Sequence, residues 1–162
     1  MTETNLTPSA PRRAALRRAQ SEHLLAVRTL TKAGRGSFTD AIQQLNEYVD
    51  PAGDRSSSTK LDKKTGKVIS ASFIHFTRQL YRCFGLSEAQ AEAKLAGDSL
   101  RDILNEIVLM AIYQAEIEAA LWITSRIDAK ELRKVIKAGL KSIFEKHAAQ
   151  CSALQSMARV AA

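Results

Sequence analysis

Six cations in the C-terminal third, Arg126, Lys130, Arg133, Lys134, Lys137 and Lys141, recur mostly at intervals of three and four residues. On one helix, at about 100° per residue, they fall within an arc of about 100°. The spacing predicts a basic ridge about four turns long, with Phe144 at its edge and Glu131 and Glu145 off its axis. Phosphates strung along a nucleic-acid backbone complement such a ridge. A lysine-rich face that only keeps a domain soluble has the same pattern, so the spacing alone leaves both readings open.

Two further basic elements pose the same question. Arg12, Arg13, Arg17 and Arg18 cluster near the N-terminus, and guanidinium forks suit phosphate oxygens better than ammonium groups do. Lys60, Lys63, Lys64 and Lys67 lie in a polar stretch that a partner would order. The residues expected to contact nucleic acid are therefore Arg12, Arg13, Arg17, Arg18, Lys63, Lys64, Lys130, Arg133, Lys134, Lys137 and Lys141.

Other chemistries find weaker support. Glu106, Glu116 and Glu118 invite a paired-carboxylate reading, but Glu116 and Glu118 diverge by about 160° on a helix and Glu106 matches neither. Buried partnership with Arg78, Arg82 or Arg101, or plain exposure, is the expectation for them. None of His23, His75 and His147 has Glu three places before it, as a di-iron bundle requires. Gly66-Lys67 is not a phosphate-binding loop, because Leu61 and Val68 stand where it needs Gly and Ser or Thr. A helix-turn-helix around Gly85-Leu86-Ser87 would place Glu88 and Glu92 on its reading helix, facing phosphates they repel. Cys83 and Cys151 form no CxxC and no Cys/His cluster, so they read as reduced thiols, and no metal or cofactor is expected.

The elements that must position these residues read as helices. Residues 1–11, with Pro8 and Pro11, suggest a flexible arm ahead of a single helical domain over 12–162. A first helix runs from Arg12 to Ala33, with Leu16, Leu24, Val27 and Leu30 as its stripe. Gly34 and Gly36 are expected to stop it. Ser37 then caps a short helix carrying Phe38, Ala41, Ile42, Leu45 and Val49. Residues 50–67 form a polar loop, with a hairpin around Thr65-Gly66 as the alternative. Phe73, Phe76, Leu80 and Phe84 give a third helix its apolar face, while His75, Arg78 and Arg82 line up elsewhere on it. Ser87 and Gln90 resemble a capping box. Residues 100–125 are apolar on nearly every side, as in the buried centre of a bundle. Asp128 is expected to cap a long last helix with Leu132, Ile136, Ile143, His147 and Leu154 inward.

Those pieces assemble as an all-α bundle of five to six helices, with a central hydrophobic helix and a long C-terminal one. The 162 residues suit one domain, and seven glycines with three prolines are too few for many-stranded β folds. No run of 18 uninterrupted apolar residues suggests a membrane span, and the polar start with Glu3 does not resemble a secretory signal, so a cytoplasmic location is expected. The net charge of +7 is uneven: residues 1–35 hold seven basic and two acidic groups, residues 128–162 seven and three, and residues 101–127 two and four. The reading that follows is a non-catalytic protein binding DNA or RNA through phosphates, in an accessory or structural role. The alternative is an adaptor or oligomeric regulator that meets an acidic protein. The bare run Ile107–Met110 and the aromatic face suggest a homo-oligomer.

Overall fold

In the computed structural model, which describes residues 10–51, 59–61 and 68–160, the organising element is the apolar helix α5, Glu106–Asp128. Around it are α1 (Ala10–Val49), strands β1 (Thr59–Leu61) and β2 (Val68–Ser70), α2 (Ala71–Cys83), α3 (Ser87–Ala96), the single turn α4 (Leu100–Ile103) and α6 (Arg133–Val160). The architecture is the expected all-α bundle with a central apolar helix and a long C-terminal one. β1 and β2 form a small antiparallel hairpin, Thr59 opposite Ser70 and Leu61 opposite Val68.

α1 runs beside α5 in the same direction. His23 meets Glu106, Arg35 meets Glu116, and the Tyr48 hydroxyl donates to the Glu131 carbonyl. α6 returns along the other side of α5: Trp122 Nε1 donates to the Ile136 carbonyl, and Glu118 faces His147. The shared core is Phe38, Ile42 and Leu45 of α1, Phe76 and Leu80 of α2, Leu109, Ile112 and Ile123 of α5, and Ile136, Leu140 and Phe144 of α6. Each such side chain stabilises the fold by about 1.5–3 kcal/mol on leaving water. Phe38 and Phe144 meet edge to face at 6.0 Å, joining α1 to α6. α5 is long and apolar enough to cross a membrane, yet half of its most apolar window is buried among these neighbours.

Several local expectations are corrected. Gly34 and Gly36 do not stop a helix; α1 is continuous for 40 residues. One stripe of buried or half-buried positions, Leu24, Val27, Thr31, Gly34, Phe38, Ala41 and Leu45, alternates steps of three and four, and Gly34 is one of them. A Cβ there would sit 2.5 Å from Cδ2 of Tyr113, so glycine serves close approach of α1 to α5 and not termination. Leu30 lies off that stripe and is exposed. Gly139 plays the same part on α6, where the Trp122 ring occupies the place of a Cβ. Helix begins at Ala10, two residues ahead of the expected Arg12, and Arg12, Arg13, Arg17 and Arg18 sit on α1. Residues 1–9 lie outside the described residues.

The expected capping box at Ser87 and Gln90 is absent: Leu86 occupies the cap position and no side chain bonds there. Asn105, unanticipated, caps α5 by accepting from the Val108 N–H at 3.1 Å. Asp128 ends α5 where it was expected to start α6. Leu132 precedes α6 and is exposed. Leu154 lies level with the start of α5 and is exposed too, whereas Ile136, Ile143 and His147 are buried as expected.

Candidate functional site

The basic ridge is shorter than the spacing suggested. α5 and α6 are separate helices, and Lys130 lies in the turn between them with a left-handed φ of 55°. Arg126 belongs to α5, where its guanidinium stacks 4.0 Å from the Trp122 ring centre and stands 3.7 Å from Glu131. What remains on α6 is Arg133, Lys134, Lys137 and Lys141. Glu145, expected off the axis, pairs with Lys141 at 3.6 Å and removes part of its charge.

Phe144 is fully buried, and in projection along α6 it falls between Arg133 and Lys137. This part of the ridge therefore borders the core and faces α2, while Lys134 and Lys141 stay exposed. α2 brings Arg82 and the His75 imidazole to that seam. Partial burial holds the His75 imidazole below its ordinary pKa, and Lys137, Arg82 and Arg133 push it the same way. Lys137 is lowered as well, by burial and then by Arg133. Farther along, Cys83 lies in the field of Glu145, Arg82 and Lys141, so the two helices run side by side in one direction. Arg82 of α2 is thus crowded with the α6 cations around His75, with Glu145 as counter-charge farther along. The sequence shows His75, Arg78 and Arg82 as a row on α2; only packing places that row beside α6.

Not every basic element joins this cluster. Trp122 is level with Ile136, and Glu116 with Arg35, so Lys137 lies level with the region around residue 41 of α1. From there to Arg18 is about 35 Å along α1 at about 1.5 Å per residue. Arg12, Arg13, Arg17 and Arg18 therefore stand toward the opposite end of the bundle. Lys63 and Lys64 lie outside the described residues.

The three glutamates of α5 are each engaged. Glu116 is fully buried, and its Oε1 accepts from Arg35 Nη1 at 2.9 Å and Arg101 Nη2 at 2.5 Å. Arg101 matches one expected partner; Arg35 was missed, and Arg78 and Arg82 are not partners. Arg35 also donates to the Thr77 hydroxyl and stacks on Phe73, while Arg101 donates to Tyr81 and the Thr31 carbonyl. Burial works against the Arg101 charge, but Glu116 and Tyr81 more than offset it and hold the guanidinium above its ordinary value. Glu118 accepts from Lys146 at 2.5 Å and from His147 Nε2 at 2.7 Å, and Glu106 meets His23 at 2.5 Å. Cys83 and Cys151 are free thiols whose pKa burial pushes up. Among the described residues no three His, Cys, Asp or Glu side chains are grouped to hold a metal.

No family model matches the chain, and no curated protein or solved structure is similar to it.

Proposed function

We propose that the protein is a non-catalytic cytoplasmic factor, accessory or structural, that binds nucleic acid mainly through its phosphate backbone. The observation that carries this reading is the convergence of Arg82 from α2 with Arg133 and Lys137 from α6 around the His75 imidazole, flanked by Lys134 and Lys141. Packing like charges together costs free energy in the isolated protein, and a polyanion returns it by neutralising them. The engagement of Glu106, Glu116 and Glu118 in separate ion pairs favours a structural role for these carboxylates. Arg17 and Arg18, about 35 Å away along α1, are spaced to add contacts about one duplex turn from the α6 ridge.

The test is the salt dependence of binding. On duplex DNA each phosphate contact contributes about 0.9 to the slope of log affinity against log salt. Lys134→Gln/Lys137→Gln should flatten that slope by about two, equally on unrelated sequences, because phosphates carry no sequence information. Arg159→Gln, at the far end of α6, should leave the slope unchanged. Absence of salt-sensitive binding to both DNA and RNA would refute the proposal, and binding to an acidic polypeptide alone would assign the face to a protein partner.

A further inference from the structure

A cavity of about 350 Å³ opens between α2 and α3, beside the ridge and sharing His75 and Arg82 with its α2 edge. His75, Arg78, Gln79 and Arg82 contribute from one face of α2, and Ser87 and Gln90 from the first turn of α3. Arg78 and Arg82 form no ion pair with any described residue. Glu88 shares the first turn of α3 but does not line the cavity. The side-chain inventory is therefore two guanidinium forks, an imidazole, a hydroxyl and two carboxamides, with no carboxylate among the described lining residues. α3 also begins without a side-chain cap, which leaves its leading N–H groups without a side-chain acceptor.

Such a set matches an anion with several oxygens and more than one charge. A phosphate monoester offers three terminal oxygens and a charge between −1.5 and −2 (roughly, at neutral pH), and arginine forks bind such oxygens in pairs. An internal phosphodiester carries one charge and is flanked by sugars on both sides, so it suits a convex ridge better than a concavity. A terminal phosphate is tethered on one side only and can enter. We propose that the cavity between α2 and α3 binds the terminal phosphate monoester of a nucleic-acid strand, with Arg78 and Arg82 on its oxygens and Ser87 donating its hydroxyl. Gln79 and Gln90 then meet the sugar or base edge of the terminal nucleotide. The inference rests on the nucleic-acid reading above and sharpens it: the ridge grips internal phosphates, and the cavity adds a preference for strand ends.

Fluorescence anisotropy with short labelled oligonucleotides tests it, using strands that carry a 5′-phosphate, a 3′-phosphate or hydroxyls at both ends. Phosphorylation at one end should tighten binding about tenfold, and Arg78→Gln should bring that ratio to about one. Arg78 is exposed, so the variant should keep the wild-type circular dichroism spectrum. Lys134→Gln/Lys137→Gln should weaken both kinds of strand in parallel and preserve the ratio. Equal affinity for phosphorylated and unphosphorylated strands would overturn this inference alone, as would an Arg78→Gln protein that kept the preference. Binding to neither kind would overturn the nucleic-acid reading, and the inference with it.

Discussion

Replacing Glu116 by Leu removes the one anion shared by two largely buried guanidinium groups. The carboxylate is fully buried, Arg35 and Arg101 are 23% and 16% exposed, and both converge on Oε1. Breaking a buried ion pair by deleting one partner costs about 3–5 kcal/mol, mostly from the charge left behind. Partial exposure lets water screen both arginines, and each keeps other contacts: Thr77 and Phe73 for Arg35, Tyr81 and the Thr31 carbonyl for Arg101. The expected loss therefore lies near 3 kcal/mol, a large part of the total stability of about 5–15 kcal/mol usual for a domain. With a urea slope of about 2 kcal/mol/M, the unfolding midpoint should fall by about 1.5 M, read by far-ultraviolet circular dichroism. Glu116→Gln keeps the shape and an acceptor but loses the charge, and should fall between wild type and Leu.

The decisive comparison is the triple variant Arg35→Met/Glu116→Leu/Arg101→Met. Removing the whole charged group at once leaves no stranded cation, so the triple variant should be more stable than Glu116→Leu alone. A single variant that loses less than about 1 kcal/mol would mean that solvent already satisfies the arginines. A triple variant less stable than the single one would mean that packing, not charge, is what Glu116 organises. Either result refutes the reasoning. The outcome bears on the basic face, because Arg35 ties Thr77 and Phe73 of α2 to α1 and α5 and so helps set the orientation of α2.

Gly34→Ala should destabilise by about 1–3 kcal/mol as its methyl meets Tyr113, whereas Gly36→Ala, with open space around it, should stabilise by about 0.5–1 kcal/mol. Thermal melts of both variants check this, and a destabilising Gly36→Ala would argue against a continuous α1. The Glu118 pKa is lowered, chiefly by the Lys146 hydrogen bond, against burial and with help from His147. A depressed carboxylate stabilises the fold fully above its ordinary value of 4.5 and loses that contribution as pH falls through the lower folded value. The stability difference between wild type and Glu118→Gln should therefore shrink on acidification through that window; a difference constant from neutral pH to below it would refute the assignment.

The bundle was legible where hydrophobic pattern and packing obey the same rule. α5 reads as a central helix because it is apolar on most sides, and Phe38, Ile42, Leu45, Phe76 and Leu80 are buried where their spacing put them. The boundaries failed where one residue type has two physical uses. Glycine ends helices through positive φ, as Gly85 and Gly97 do here, but it also lets two helices approach closely. Gly34 belongs to the second kind. The α1 stripe that would have revealed it runs through Thr31 and Gly34, neither of which counts as apolar, so the heptad spacing appeared broken in two. Asp128 failed similarly: an aspartate between helical runs suits an N-cap, yet the chain needed four more residues to turn, with Lys130 in the left-handed region.

The site was half legible, for a reason that sequence spacing cannot reach. A helical projection assigns residues to faces of one helix, so it found Arg133, Lys134, Lys137 and Lys141, and separately the row His75, Arg78 and Arg82. Whether two rows reinforce or ignore each other depends on which helices touch. On α6 Phe144 enters the core between the cations and Leu140 just beside them, while on α2 Phe76 and Leu80 are buried on a different face from His75, Arg78 and Arg82. Burying those four side chains pulls the two helices together and carries their cations into one field. The apolar residues, more than the lysines themselves, therefore decide that the charges converge. Arg12–Arg18 stand apart from them along the chain, because residues 10–22 of α1 precede the level at which His23 meets the start of α5.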